Sequence, residues 1–561
     1  MPLGMGPLGA YFALMLLGPL CLLVLYSFWK ASFFAVDHHF TLSNYARLLT
    51  SPLYSQILLK TLGVSALAAL TSVAVGYAIA YAIVFRLKTW GPRILVLVMI
   101  SLLASYIVRL YAVTTILGTN GLINQALMAV GLIDQPLTFL LYGYFAIVIT
   151  LIYVYLPFAI LPIYAGLQGI DRRLLEASRD LGCGPLRTFI QVTLPLSMRG
   201  VRLAFAFCFI LGAADYVAPR IVGGMDGQMI GAIIANQFGG ASDYPFGAAL
   251  AVSMVIGFIV VLSLLFLAEL GIRRLAGPLF RHSESGWRKT RVSFPDLPVC
   301  EAITLLTLIF LFAPLVTVFV FSFNDTPNPG LPFAGVTGKW YIEVVQREDF
   351  RHVLRISLTI CLAAVVGGLS IGIPAAMALA RRSFRLKAPL EMLVYGPMAV
   401  PGVVLGVALL TTFVSTGIRL GIATTMAAHI LLVVPFIVLV ARTRLEKMDV
   451  RIEEAGRDLG SPPLRVFRTV TLPMLTPSLL GAGLLAAAIS LDDLLVTNFT
   501  IGVNATVPVW IASQMRVGLT PALNAVSVFM LVGSVSLIGL AAAVIRLRRS
   551  MRFTAVLAGT Q

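Results

Sequence analysis

Long apolar runs constrain this sequence more than any other feature does. Twelve such runs divide the 561 residues, and each is about long enough to cross a hydrocarbon core of roughly 30 Å as a helix. Only 12% of the residues are charged, whereas soluble domains carry about 25%. The sequence therefore predicts an all-α membrane protein with twelve transmembrane helices.

The predicted spans form two sets of six. The first set is 11–29, 57–85, 94–117, 137–167, 203–219 and 246–272, and the second is 299–323, 353–380, 390–415, 422–440, 478–496 and 522–545. We assign 1–272 to a first half, 273–298 to a basic cytoplasmic linker and 299–561 to a second half. Because no basic segment precedes the first run, we expect a retained span and not a cleaved signal peptide. A short amphipathic helix is predicted at 122–132, after the third span.

The positive charge has a regular distribution along the chain. The formal net charge is +17, yet most Lys and Arg fall in alternate loops, as in Arg381, Arg382, Arg385 and Lys387. Basic residues in alternate loops mark the cytoplasmic side of a membrane protein, so the charge does not indicate a nucleic acid partner. Six spans per half let both halves enter the membrane from one side. We expect two parallel six-helix repeats in a bacterial inner membrane, with both termini cytoplasmic.

One polar segment occurs twice, in matching cytoplasmic loops. Residues 171–195 read DRRLLEASRDLGCGPLRTFIQVTLP, and residues 449–473 read DVRIEEAGRDLGSPPLRVFRTVTLP, at an offset of 278 without a gap. Asp171 and Asp449 are each predicted to cap a helix N-terminus. Gly182 and Gly460 stand where a helix-ending glycine with positive φ is expected. Each copy is thus predicted to form a helix, a glycine turn and a second helix at the inner membrane surface.

The repeated segment resembles the EAA motif of binding-protein-dependent ABC importer permeases. The shared pattern is Glu-Ala and a small residue, four residues to Gly, and a distal Leu-Pro. The resemblance implies two sets of ATPase-coupling residues: Glu176, Ala177 and Gly182 in the first copy, and Glu454, Ala455 and Gly460 in the second. At the third motif position the chain departs from Ala, with Ser178 and Gly456, and both of these residues are small.

The same resemblance implies the partners. A type I ABC importer would have two cytoplasmic ATPase subunits, one on each coupling segment, and an external solute-binding protein, which we place on loops 220–245 and 503–521. The chain has no GxxxxGK[ST] phosphate loop, no CxxC and no HExxH spacing. We therefore expect a permease that is not an enzyme and binds no cofactor, with ATP and Mg in the partner subunits.

Three carboxylates near the ends of predicted spans mark a candidate substrate path. Asp215 lies near the outer end of the fifth span, and the 278-residue offset pairs it with Asp493, which follows Asp492. Charged residues inside a bilayer are costly and are functional candidates. Acids from both halves would suit a cation with separated amines, and Tyr216 and Tyr106 would add cation–π faces.

The alternative interpretation of these acids is structural. They would then pair with Arg220, with Arg109 or with the backbone at the ends of the spans. For Arg109, in the third span, we favour the role of an acid partner over that of a substrate contact. His429, near the start of the tenth span, is expected to be a packed or interfacial residue.

Local sequences also resemble the permease subunits of spermidine/putrescine importers, in order along both halves. They include GAADYVAP at 212–219, SLDD at 490–493 and TPALN at 520–524. The resemblance implies a polyamine solute. Polyamine members often have an acid after the proline of the ninth span, whereas Gly402 stands there in this chain. Aminoethylphosphonate, thiamine and ferric ion therefore remain open as solutes. An ion-driven secondary carrier is the alternative class, but it would give the duplicated cytoplasmic segment no role.

Overall fold

The structure is a computed structural model. It describes residues 5–32, 35–87, 89–281, 299–326, 333–518 and 520–533, together with 535, 536 and 539. Most of these residues are helical, and a short antiparallel strand pair, β1 (Lys30–Ser32) with β2 (Ala35–Asp37), follows the first span. The predicted all-α membrane fold is confirmed.

The first half contains helices α1 to α11. Their bounds are Gly9–Ser27, Ser43–Thr50, Pro52–Arg86, Gly91–Leu103, Tyr106–Leu117, Leu122–Ala129, Tyr144–Gln168, Arg172–Asp180, Pro185–Ala213, Ile230–Phe238 and Tyr244–Arg281. The amphipathic helix expected at 122–132 is present as α6. The last helix, α11, continues beyond the predicted boundary at 272, and residues 282–298 of the predicted linker lie outside the described residues.

The second half contains helices α12 to α22. Their bounds are Val299–Phe321, Lys339–Gln346, Glu348–Arg381, Lys387–Ala399, Gly402–Ser415, Ile422–Glu446, Arg451–Asp458, Pro463–Asp492, Thr497–Thr500, Val507–Val517 and Pro521–Gly533. Within the described ranges, ten segments are long and apolar enough to span a membrane, one of them Tyr106–Ala129, which includes α5 and α6, and the bent pair α15–α16 makes eleven. The twelfth predicted span begins with α22, and most of its remainder lies outside the described residues.

Two predicted spans, 94–117 and 390–415, are wrong as continuous helices. The first is divided into α4 and α5 by the extended residues Ala104 and Ser105. The second is divided into α15 and α16 at Val400 and Pro401, with a bend of 106°. Proline lacks an amide hydrogen and disfavours helix at the preceding residue, which explains the second break. The first break contains no proline, and the acid that stabilises it, Asp492, belongs to the second half of the chain.

Each half is built on the same three-helix unit. Helices α3, α7 and α9 pack together in the first half, as α14, α17 and α19 do in the second. Glycines at equivalent positions allow the close approach within each unit. A Cβ on Gly76 would lie 3.2 Å from the Ala159 Cβ, and one on Gly372 would lie 2.7 Å from the Ile437 Cγ2. The parallel repeat predicted from the sequence thus extends to the packing.

The first span of each half packs against the other half. In α1, Phe12 and Leu16 belong to an apolar cluster formed mainly by α14, α15, α16 and α17, and the Tyr11 hydroxyl donates to the Ala427 carbonyl oxygen (2.8 Å). Conversely, α12 packs against α3 and α5, and its Leu311 carbonyl oxygen accepts a hydrogen bond from Tyr153 (3.3 Å). The two halves are therefore interlocked, although the sequence divides them cleanly.

Candidate substrate path and coupling segments

The break between α4 and α5 leaves a helix N-terminus inside the bundle. The carboxylate of Asp492, at the end of α19, accepts hydrogen bonds from the Ser105 hydroxyl (2.5 Å) and from the backbone N–H of Tyr106 (2.8 Å). A buried amide without a partner would be costly, so Asp492 acts as the N-terminal cap of α5. An acid of the second half thus stabilises a helix break of the first.

Asp215 is completely buried and accepts several hydrogen bonds. The Tyr106 hydroxyl lies 2.6 and 2.7 Å from its two oxygens, and the Tyr155 hydroxyl donates to Oδ2 (3.0 Å). The backbone N–H groups of Val217 and Ala218 donate to Oδ1 at 3.0 and 3.1 Å. Asp215 therefore pairs with the backbone, as the structural interpretation of the acids predicted. Its side-chain donors, however, are the hydroxyls of two tyrosines and not the arginines considered from the sequence.

Tyr106 connects the acids of the two halves. Its hydroxyl group donates to Asp215 and its backbone N–H donates to Asp492, so two of the three candidate acids share one residue. The sequence placed Tyr106 in the path as a cation–π face, whereas the structure uses its hydroxyl and its amide as hydrogen-bond donors.

Asp493 faces a different group of side chains. Its Oδ2 accepts from the backbone N–H and the hydroxyl of Thr497, both at 2.8 Å, and lies 3.5 Å from His429 Nε2. The other ring nitrogen of His429 lies 2.8 Å from the Ser490 hydroxyl. His429 is 1% exposed, so its predicted packing is confirmed, while the Asp493 side chain retains 13% exposure.

The role of Arg109 as the partner of an acid stays a prediction, and its charge acts on Asp492. Arg109 is buried, and its Nη1 donates to the backbone carbonyl oxygen of Val154 (2.8 Å). Tyr216 is also buried; its ring centroid lies 5.5 Å from that of Phe499, and its hydroxyl has no hydrogen-bond partner among the described residues.

The two coupling segments begin and turn alike. Oδ1 of Asp171 accepts from the N–H of Arg173, and Oδ1 of Asp449 accepts from the N–H of Arg451, both at 3.0 Å, which confirms the predicted cap. Gly182 and Gly460 have φ values of 81° and 78°. A Cβ on either would meet no atom within 4 Å, so the backbone conformation and not space favours glycine there.

Each coupling segment presents a large apolar side chain to solvent. Leu181 is 85% exposed and Leu459 is 87% exposed, each directly before its turn glycine. The motif residues Glu176, Ala177, Glu454 and Ala455 are exposed as well. The two leucines occupy the same position in both copies, but the sequence alone did not show that they are the exposed apolar residues of the segments.

Tyr155 and Ser105 were also missed as members of the acid clusters. Tyr155 is 60 residues from Asp215, and Ser105 is 387 residues from Asp492. No local pattern joins either pair, because the contacts depend on how the helices pack.

The comparisons with known proteins agree with this arrangement. A family model described as a binding-protein-dependent transport system inner membrane component matches the chain twice, at residues 73–275 and 368–550. The chain therefore belongs to this family. It is a multi-pass membrane protein in which two ABC importer permease units are fused, and it is a transport component. The ion-driven secondary carrier considered from the sequence is set aside.

Individual relatives are similar to single halves in length. The chain is 34% identical over 217 residues to the spermidine/putrescine transport system permease protein PotB of Escherichia coli K12, covering 39% of this chain and 78% of that protein. It is 33% identical over 257 residues to the putrescine transport system permease protein PotI of the same strain, covering 44% and 91%. A bacterial ABC transporter for import of alginate is 16% identical, with a TM-score of 0.34 over 46% of this chain and 97% of that one, which is too weak to support an argument.

Proposed function

We propose that this permease imports a small polyamine, such as spermidine or putrescine, delivered by an external solute-binding protein. The observation that carries the proposal is that Tyr106 joins Asp215 and Asp492, so that acids from both halves meet at the boundary between them. The printed names of the relatives support the same solute class.

The charges of the cluster fit a solute with more than one amine. A polyamine leaves water only if several of its ammonium groups are matched by acids or aromatic faces. Asp215 and Asp492 form one group at Tyr106, and Asp493 forms a second group with His429. We propose that opening of the path separates the two halves, releases these acids from their protein donors and exposes them to the solute.

Competition for uptake tests the solute. Wild-type transporter in proteoliposomes would take up labelled spermidine, and unlabelled spermidine, putrescine, aminoethylphosphonate and thiamine would be compared as competitors. Asp493→Asn is expected to reduce uptake more than tenfold, because Asp493 is the partly exposed acid. Preferential competition by aminoethylphosphonate or thiamine would contradict the polyamine assignment.

We further propose that two cytoplasmic ATPase subunits grip the coupling segments, with ATP and Mg bound in those subunits and with both termini of this chain on the same side. The exposed Leu181 and Leu459 support this proposal, because each offers an apolar contact beside a rigid, capped helix. Binding of ATP would draw the ATPases together and move the two three-helix units through α8 and α18.

Substitutions in the coupling segments test this contact. Gly182→Leu or Gly460→Leu forces a bulky side chain into the left-handed region, and Leu181→Ser with Leu459→Ser removes the apolar contact. We expect uptake to fall more than tenfold while ATP hydrolysis is no longer stimulated. Leu386→Ser is the matched control, because Leu386 is 58% exposed in another cytoplasmic loop. Unchanged coupled uptake in these variants would contradict docking at the segments.

A further inference from the structure

A small pocket, partly open to solvent, is lined in part by Tyr216 and Leu494, which directly follow Asp215 and Asp493 in the chain. It is found beyond the ends of α9 and α19 that are opposite the coupling segments. Both halves contribute to its polar lining, with Tyr216 and Arg220 from the first and Asn498 and Arg516 from the second, while its other lining side chains are apolar. Among the described residues, none that lines the pocket is acidic.

We propose that this pocket binds carboxylates of the solute-binding protein through Arg220 and Arg516. The proposal rests on the proposed function, since it takes the solute to be a cation. Guanidinium groups are the preferred partners of carboxylates, because their planar donors match both oxygens.

The two arginines bring positive charge together without a carboxylate in the pocket to balance it. Burial, and then the charge of Arg516, lower the pKa of Arg220. The hydrogen bond from Arg220 Nη2 goes to the neutral carbonyl oxygen of Ala232 at 3.3 Å, and its guanidinium lies 5.6 Å from the Tyr216 ring centroid. An anion placed between the two arginines would relieve this repulsion.

Further donors are available to such an anion. Tyr216 lines the pocket and is 2% exposed, and its hydroxyl is without a partner among the described residues. Asn498 contributes an exposed amide. The pocket therefore combines two positive charges with neutral donors, which is the chemistry of a carboxylate site.

The source of the carboxylate follows from the charge of the solute. A polyamine is repelled by the two arginines, whereas a protein that holds a polyamine must itself carry acids at its binding cleft. Three nearly fully exposed apolar side chains also lie next to the pocket segments: Met225 (88%) and Val503 (102%) in loops and Val517 (89%) at the end of α21. Apolar contacts around a charged centre fit a protein partner better than they fit a free ion.

The position of the pocket near the acids means that contact with the solute-binding protein there would affect delivery of the solute. The charges of Arg220 and Arg516, and also those of Asp493 and Asp215, act on Tyr216, so the arginines and the acids lie near one residue. When the solute-binding protein docks, Arg220 and Arg516 compete with the bound polyamine for the carboxylates of that protein. The released polyamine then has acids of this chain within the same region.

Docking measurements test the proposal with Arg220→Gln, Arg516→Gln and the double variant. The transporter with its ATPases would be placed in nanodiscs, and binding of the purified cognate solute-binding protein, solute-free or loaded with spermidine, would be measured at about 50 and 200 mM NaCl. Each single variant is expected to weaken docking about tenfold, and the double variant is expected to lose most of the salt dependence. Arg→Lys at either position should retain the salt dependence with reduced affinity.

Arg419→Gln is the matched control, because Arg419 is exposed in the loop after α16 and does not line the pocket. Basal ATP hydrolysis and the unfolding temperature would verify that the variants are folded.

Unchanged docking in the double variant would overturn the proposal. So would normal docking with selective loss of aminoethylphosphonate uptake, because the anion would then belong to the solute. Failure of the proposed function would look different: no spermidine uptake by the wild type, with docking still dependent on the arginines.

Discussion

Asp215 and Asp493 occupy equivalent positions in the two halves, yet their surroundings differ. Asp215 is 0% exposed and is enclosed by two tyrosine hydroxyls and two backbone amides. The Asp493 side chain is 13% exposed and accepts from Thr497 close to His429. Asp215 is thus enclosed by protein donors, whereas the side chain of Asp493 remains partly exposed.

The partners of the two acids are not repeated. At the 278-residue offset, Tyr155 corresponds to Val433 and His429 corresponds to Leu151, and both of these replacements are buried apolar residues. Each half therefore has the acid but not the partner that the other half uses. The difference teaches that the two halves share the charge of the path but hold it differently, with Asp215 enclosed by protein donors and Asp493 partly exposed.

The largest expected effect comes from replacing each acid by its amide. In Asp215→Asn, an uncharged amide replaces the carboxylate, and its NH₂ group takes the place of Oδ2, so the hydroxyls of Tyr106 and Tyr155 must turn from donors into acceptors. We expect a loss of about 2–3 kcal/mol of stability. Asp493→Asn should cost less than about 1 kcal/mol, because the asparagine oxygen can keep the position of Oδ2.

Unfolding of the two purified variants in nanodiscs checks this contrast. Tyr155→Phe is a control that removes one donor to Asp215 and should cost about 1 kcal/mol. Equal destabilisation by Asp215→Asn and Asp493→Asn would show that the two acids are equivalent after all.

A smaller effect is expected when the cap that Asp492 of the second half forms on α5 of the first half is removed. Asp492→Ala leaves the N–H of Tyr106 and the hydroxyl of Ser105 without their acceptor, and we expect a loss of about 1–2 kcal/mol. Ser105→Ala removes one of the two bonds and should cost less. The equivalent position in the first half is Ala214, so Ala214→Gly is a control for changes at the end of α9. A thermal midpoint unchanged by Asp492→Ala would contradict the capping role.

Features with local causes could be predicted from the sequence. The apolar runs predicted the spans, and the polar pattern of the coupling segments predicted their caps and their turn glycines, because a cap depends on residues only a few positions apart. The break at Ala104 and Ser105 could not be predicted in this way, because it contains no proline and is capped by an acid 387 residues away. The partners of Asp215 were hidden for the same reason.

The break at Pro401 shows a different kind of error. Its local signal was present in the sequence, but the length of the apolar run favoured a single span from 390 to 415. The structure bends by 106° at this proline. Proline alone does not end a helix in this chain, because Pro314, Pro374 and Pro435 lie inside continuous helices, so the break could not be predicted from Pro401 alone.

The smallest expected effect concerns a contact inside each coupling segment. The hydroxyls of Ser178 and Thr188 are 3.1 Å apart in the first copy, and Gly456 and Val466 occupy the same positions in the second. A Cβ on Gly456 would lie 3.3 Å from the Val466 Cγ2. A pair of hydroxyls in one copy thus corresponds to glycine beside a branched side chain in the other.

Exchanging these pairs tests what determines the residue at the third motif position: the packing of Gly456 against Val466, or contact with the ATPase. Gly456→Ser alone crowds Val466, and Val466→Thr alone buries a hydroxyl, so each should cost about 0.5–1 kcal/mol. The double variant can form the hydroxyl pair of the first copy and should recover about 0.5–1 kcal/mol in a double-mutant cycle of unfolding. Strictly additive costs would contradict the pairing. Non-additive costs with normal coupled uptake would mean that the identity of this small residue is set by the contact between the two helices of its own segment, and not by the surface of the ATPase.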